Sequence, residues 1–136
     1  MTLTNSTVSG NTGGFSGGME NFGTMTLTNS LVSDDCRGDI TSNGYNIESP
    51  GDTCGFDQLT DQANVGADDL KLGPLQDNEG PTETHALGEG SVAIDVIPEV
   101  DCVDADSAPL TTDQRGVERP QGDACDVGAV EMEVMR

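Results

Sequence analysis

Apolar and polar positions alternate in short runs along this chain. Across Met25–Ser33, MTLTNSLVS, Leu27 and Val32 are placed to point inward, while Thr26, Thr28, Ser30 and Ser33 face outward. Period-two alternation in a run rich in Thr, Val and Leu predicts short β-strands, and nothing in the run has helical period. The run also occurs earlier. Met1–Asn11 reads MTLTNSTVSGN and Met25–Asp35 reads MTLTNSLVSDD, identical at eight of eleven positions and offset by 24 residues. Repeats with periods of roughly 20–50 residues mark units that stack on one another and share a core. A unit of this length suits one coil of a parallel β-helix, three short strands joined by bends. Asn5 and Asn29 would then occupy equivalent bends and hydrogen-bond along the stack.

Composition sharpens the need for such sharing. Leu, Ile, Val and Phe together number 27 of 136 residues, and the formal net charge is -20. Few large apolar residues with high net charge is the composition of a disordered chain. A stack tolerates it, because each unit needs only a few inward side chains. A strongly acidic chain with a single Lys repels phosphate backbones, which excludes nucleic acid as a partner. No apolar run approaches the roughly 18–20 residues of a membrane-spanning helix, and MTLTNSTVSG lacks the parts of a signal peptide.

The segments TLTNSTVSGN and GGMENFGTMTLTNSLVS resemble the coils of bacterial secreted right-handed β-helix proteins, of the polymorphic outer-membrane-protein and pectate-lyase-like kind. Further along, GYNI (44–47), LQDNEGPT (75–82), THAL (84–87), SVAID (91–95), DQRGVERP (113–120) and CDVGAVE (125–131) occur in order. Together they resemble the choice-of-anchor domain that ends many such proteins at the cell surface. Val92, Val130 and Glu79 depart from the usual Pro, aromatic and Gly of that pattern. The resemblance implies an all-β fold, a right-handed parallel β-helix with a loop-rich, disulfide-tied C-terminal closing segment. Residues 1–48 would form the repeat coils, and 49–136 the divergent coils and closing segment of the same domain. It also implies a secreted or cell-surface location, with signal and anchor outside this chain and upstream coils of a longer parent as neighbours.

Cys36, Cys54, Cys102 and Cys125 lack the close spacing of a structural zinc site. An even count in a chain resembling secreted proteins points to disulfides. Three pairings are open, and Cys36–Cys54 with Cys102–Cys125 is favoured because each brackets a local, loop-rich segment.

Several patterns carry candidate chemistry. Gly14-Phe15-Ser16-Gly17-Gly18 matches the G-x-S-x-G elbow of serine hydrolases, with His85 later in the chain. With nine serines and 18 glycines in the chain, however, chance is a strong competitor. Gly88–Ala93 has the spacing of a dinucleotide fingerprint, but Pro98 ends the segment before the required helix. Asp101, Asp104 and Asp106, with Asp95 and Glu99 near, offer hard oxygen ligands of the kind Ca²⁺ takes. As an EF-hand loop starting at Asp104 the segment fails, with Pro109 at the glycine position and Arg115 at the bidentate-Glu position. Arg115 and Arg119 are expected to pair with Asp113 and with Glu118 or Asp126.

The expected function is therefore structural, an adhesive module contacting polysaccharide or a host or cell-surface ligand. The alternative is a hydrolase acting through Ser16 and His85, or a polysaccharide lyase or hydrolase using paired carboxylates. The acidic surplus has two sources to separate, adaptation to high salt or calcium binding. Melting temperature rising steeply with NaCl or KCl alone identifies charge repulsion, whereas a rise at millimolar calcium identifies specific sites.

Overall fold

A computed structural model describes residues 1–11 and 19–133. The two repeat copies pair as the alternation requires. Strands β1 (Thr2–Thr4), β3 (Met19–Thr28) and β5 (Cys36–Ser42) form one parallel sheet, in the order β1-β3-β5. Strands β2 (Thr7–Ser9), β4 (Leu31–Ser33) and β6 (Ile47–Glu48) form a second, in the order β2-β4-β6. Between the copies the register is uniform: Leu3 lies beside Leu27 and Val8 beside Val32, each 24 residues apart. The next step is shorter. Met25 pairs with Ile40 and Leu31 with Ile47, at offsets of 15 and 16, after a register shift between Asn21 and Met25. This change of step is why the sequence repeat is visible only twice.

The expected β-helix does not form. A short helix α1 (Ala67–Leu70) leads into an antiparallel pair, β7 (Leu72–Gln76) with β8 (Thr84–Leu87). Beyond it only isolated bridges and one 3-10 turn, Glu99–Asp101, are regular. The described residues thus form three separate sheets of two or three strands, with neither a solenoid nor a closed sheet. The physical reason lies in β4. Both of its first two side chains are fully buried, Leu31 and Val32 at 0% exposure. Val32 joins Leu27, Met19, Met25 and Phe56 in one core, and Leu31 joins Ile47, Leu87, Ile97 and Val127 in another. In a β-helix the outer face of this sheet would meet solvent. Here residues 65–127 cover it and build their own core.

The two disulfides are Cys36–Cys54 and Cys102–Cys125. The first closes its loop beside Glu48, a carboxylate at 0% exposure. Glu48 accepts hydrogen bonds from the backbone N–H of Thr53 at 2.7 Å and of Cys54 at 2.8 Å, and from the Thr53 hydroxyl at 2.7 Å. A charge taken out of water needs this many donors.

Asn5 and Asn29 do sit at equivalent bends, both with left-handed backbone (φ 49° and 55°). They do not bond to one another. Asn29 Nδ2 donates to the carbonyl of Asp101 at 2.9 Å and Asn5 Nδ2 to that of Val103 at 2.8 Å. The repeat asparagines therefore fasten the C-terminal half onto the N-terminal sheets. Asn tolerates positive φ where a residue with a larger preference for extended backbone does not. Asn29→Ala loses both the tolerated φ and the hydrogen bond, an expected loss of about 2–3 kcal/mol in chemical denaturation. Asn29→Gly keeps the backbone conformation, and its loss should be smaller.

Candidate functional site

The densest chemistry lies in the two late segments, 113–119 and 125–131. A chain that runs irregularly through a core must find partners for its backbone N–H groups, and here carboxylates supply them. Asp113 accepts from the N–H of Arg115 at 2.7 Å, Val117 at 3.0 Å and Glu131 at 2.9 Å. Asp126 accepts from Asp95 N–H at 2.8 Å and Met132 N–H at 2.7 Å. Glu131, at 0% exposure, accepts from Gln121 N–H, Asp126 N–H and the Arg119 guanidinium.

The arginines complete this knot. Arg115 pairs with Asp113 at 3.0 Å and also donates to the carbonyls of Asn78 and Glu131. Arg119 pairs with Glu131 at 3.0 Å, rather than with Glu118 or the Asp126 carboxylate, and donates to the carbonyls of Asp126 and Gly128. Buried ion pairs hold only with such saturation of donors and acceptors. Glu131 was not singled out by sequence reasoning. Its signal is its place, six residues after Cys125 in the CDVGAVE segment, among apolar neighbours that predict burial.

Protonation follows from this geometry. Burial pushes the Asp126 carboxyl up to about 6; the charges of Glu131 and Asp95 add to the rise, and the N–H groups of Asp95 and Met132 oppose it. Burial also acts upward on Asp113, but the N–H groups of Glu131, Arg115 and Val117 and the Arg115 side chain outweigh it and lower its pKa.

Two clefts open beside the knot. One, about 410 Å³, has Thr4, Asn5 and Ser6 on one side and Asp104, Thr112, Gln114 and Arg119 among those opposite. The other, about 310 Å³, runs along Thr7, Val8, Ser9 and Asn11, facing Leu75, Glu83 and His85. Gln114 and Ala129 line both.

Of the remaining candidates, Ser16 lies outside the described residues. His85 is on β8, and its Nδ1 hydrogen-bonds the carbonyl of Gly73 at 2.8 Å, tying the ring to β7. Asp104 Oδ1 accepts the N–H groups of Asp106 and Ala108, closing its own turn. Asp101 takes the hydroxyl of Tyr45, whose pKa rises through desolvation and then through the Asp101 charge. Asp101 and Asp104 are thus engaged with different partners, Asp106 enters only through its backbone N–H, and among the described residues no group of three or more His, Cys, Asp and Glu side chains is placed to hold a metal ion. No protein-family model, curated protein or solved structure matches the chain.

The two carboxyls give opposite pH dependences. Asp126 binds its proton more tightly folded than unfolded, so its contribution falls as pH rises from the ordinary carboxylate range near 4 through about 6. Asp113 binds its proton less tightly folded, so its contribution is present above pH 4 or so and is lost as pH falls further. Melting temperature should peak near pH 4. Asp126→Asn should remove about 1–2 kcal/mol from the difference between pH 7 and pH 5, and Asp113→Asn should flatten the acid limb.

Proposed function

We propose that this chain is a structural, adhesive module of the secreted or cell-surface kind. The observation that carries the reading is the buried knot of Asp113, Arg115, Arg119, Asp126 and Glu131. These are the residues within which a polar active site would be sought, and each is saturated by internal backbone or ion-pair partners. They hold loops in place. The segments DQRGVERP and CDVGAVE, on which the choice-of-anchor resemblance is drawn, supply the residues of the knot.

The location rests on chemistry as well. Two disulfides tie the loop-rich segments, and such bonds persist in oxidising compartments. No helix among the described residues is long and apolar enough to cross a membrane.

A glycan array probed with the 136-residue chain, together with ester-hydrolysis and polysaccharide-cleavage assays, tests the function. Saturable retention on surface glycans without turnover is the expected result. Turnover that disappears in Ser16→Ala or His85→Ala, with melting temperature unchanged, would make the chain a hydrolase and overturn the reading.

A further inference from the structure

The first repeat copy is an incomplete version of the second. Leu27 and Val32 are at 0% exposure, while their register partners Leu3 and Val8 are only half-buried. Among the described residues the second copy is covered by strands on both sides and the first on one. Sheet order leaves β1 and β2 as edges. In a parallel ladder alternate residues bond to opposite neighbours. With Thr26 N–H on the Met1 carbonyl at 3.0 Å and Leu31 N–H on the Ser6 carbonyl at 2.8 Å, the N–H groups of Thr2 and Thr7 point away from β3 and β4.

Side chains repeat the pattern. Ser30 Oγ donates to the Thr28 carbonyl at 2.9 Å and accepts the N–H of Ser6 at 3.2 Å. Ser6 Oγ donates to the Thr4 carbonyl at the same 2.9 Å, and among the described residues nothing donates to it. The edge thus carries, one step out, the acceptor that received its own neighbour. Both clefts beside the knot run along this edge, one at Thr4–Ser6 and the other at Thr7–Asn11.

We infer that the outer edge of β1 and β2 is a docking edge for an extended polypeptide segment carrying the repeat's own T-L-T-N-S-x-V-S pattern, added as two parallel strands. The interface between the two copies is the template. An incoming Leu would cover Leu3, an incoming Val would cover Val8, and the Ser N–H between them would bond to Ser6 Oγ. Main-chain bonds to Thr2 and Thr7 would give affinity, and the two apolar side chains would give register. An edge of this kind is otherwise an aggregation hazard. The inference does not depend on the adhesive reading.

The test is titration of a fluorescent peptide of sequence MTLTNSLVSDD, that of residues 25–35, against the 136-residue chain. Saturable binding is expected, at least about tenfold tighter than for a scrambled peptide, and Thr2→Pro should weaken it about three- to tenfold with melting temperature unchanged. Hydrogen exchange on the unmodified chain reads the same contact without a variant, as slowed exchange at Thr2 and Thr7 when peptide is present. Equal binding of the scrambled peptide, or unslowed exchange at both amides at saturating peptide, overturns the inference.

Discussion

Everything in this protein is arranged around a three-residue strand buried on both faces. β4 places Val32 in one core and Leu31 in the other, so the sheet it belongs to is a partition and not an outer wall. The N-terminal repeat supplies the partition, and the C-terminal half is defined by having to cover it. Strand pairing fixes Leu31 beside Ile47, which sets a two-residue apolar strip. Ala93, Ile97 and Val127 then pack on that strip from segments with almost no regular structure. Thr7 marks the seam, its hydroxyl accepting the N–H of Ala129 across 122 residues of sequence.

Covering a sheet with loops poses a problem that strands and helices solve automatically: each buried N–H and C=O still needs a partner. Here the solution is ionic. Arg119 donates to two carbonyls of the 126–128 turn from one nitrogen and pairs with Glu131 through another. Glu131 in turn holds the N–H groups of Gln121 and Asp126. Such a network gives little net stability over an apolar replacement, but removing one member leaves the others buried without partners. The disulfide Cys102–Cys125 joins this region to the 101–103 loop, and the repeat asparagines bond to that same loop. The knot, the bridge and the repeat therefore form one connected support.

Some of this was legible in the sequence. The strands of the repeat, their 24-residue register and the inward Leu27 and Val32 follow from period-two alternation, which reports burial directly. The Arg115–Asp113 pair could be read because the partners are two residues apart. The β-helix was the wrong extrapolation, because a repeat seen twice does not fix the step after it. The offset fell from 24 to 15–16 without any identity to show it. Alternation also assigned Ser30 to solvent, whereas it is at 0% exposure between Ser6 and the Thr28 carbonyl. The single Leu at position 31, where the first copy has Thr7, was the available sign that the outer face is covered. Among the candidate chemical residues, Asp104 gave a metal-like spacing because a turn-closing carboxylate and a cation ligand use the same short side chain.

Part of the acidity behind the charge of -20 then acquires a structural role. Asp34, Glu48, Asp61, Asp77, Asp104, Asp113, Asp126 and Glu131 each accept at least one backbone N–H. These residues serve bends and loops, where the ladder hydrogen bonds of a sheet are unavailable, and a carboxylate is the acceptor best able to replace them. A chain with so little regular structure in its second half needs many such acceptors. Low apolar content and high acidity looked like the composition of disorder because both traits arise when side chains do not drive collapse. In this protein the acids are the means by which loops are ordered around a small shared core. The cost of that device is seen on Asp126, whose carboxyl is pushed up to about 6 first by burial and then by the charges of Glu131 and Asp95.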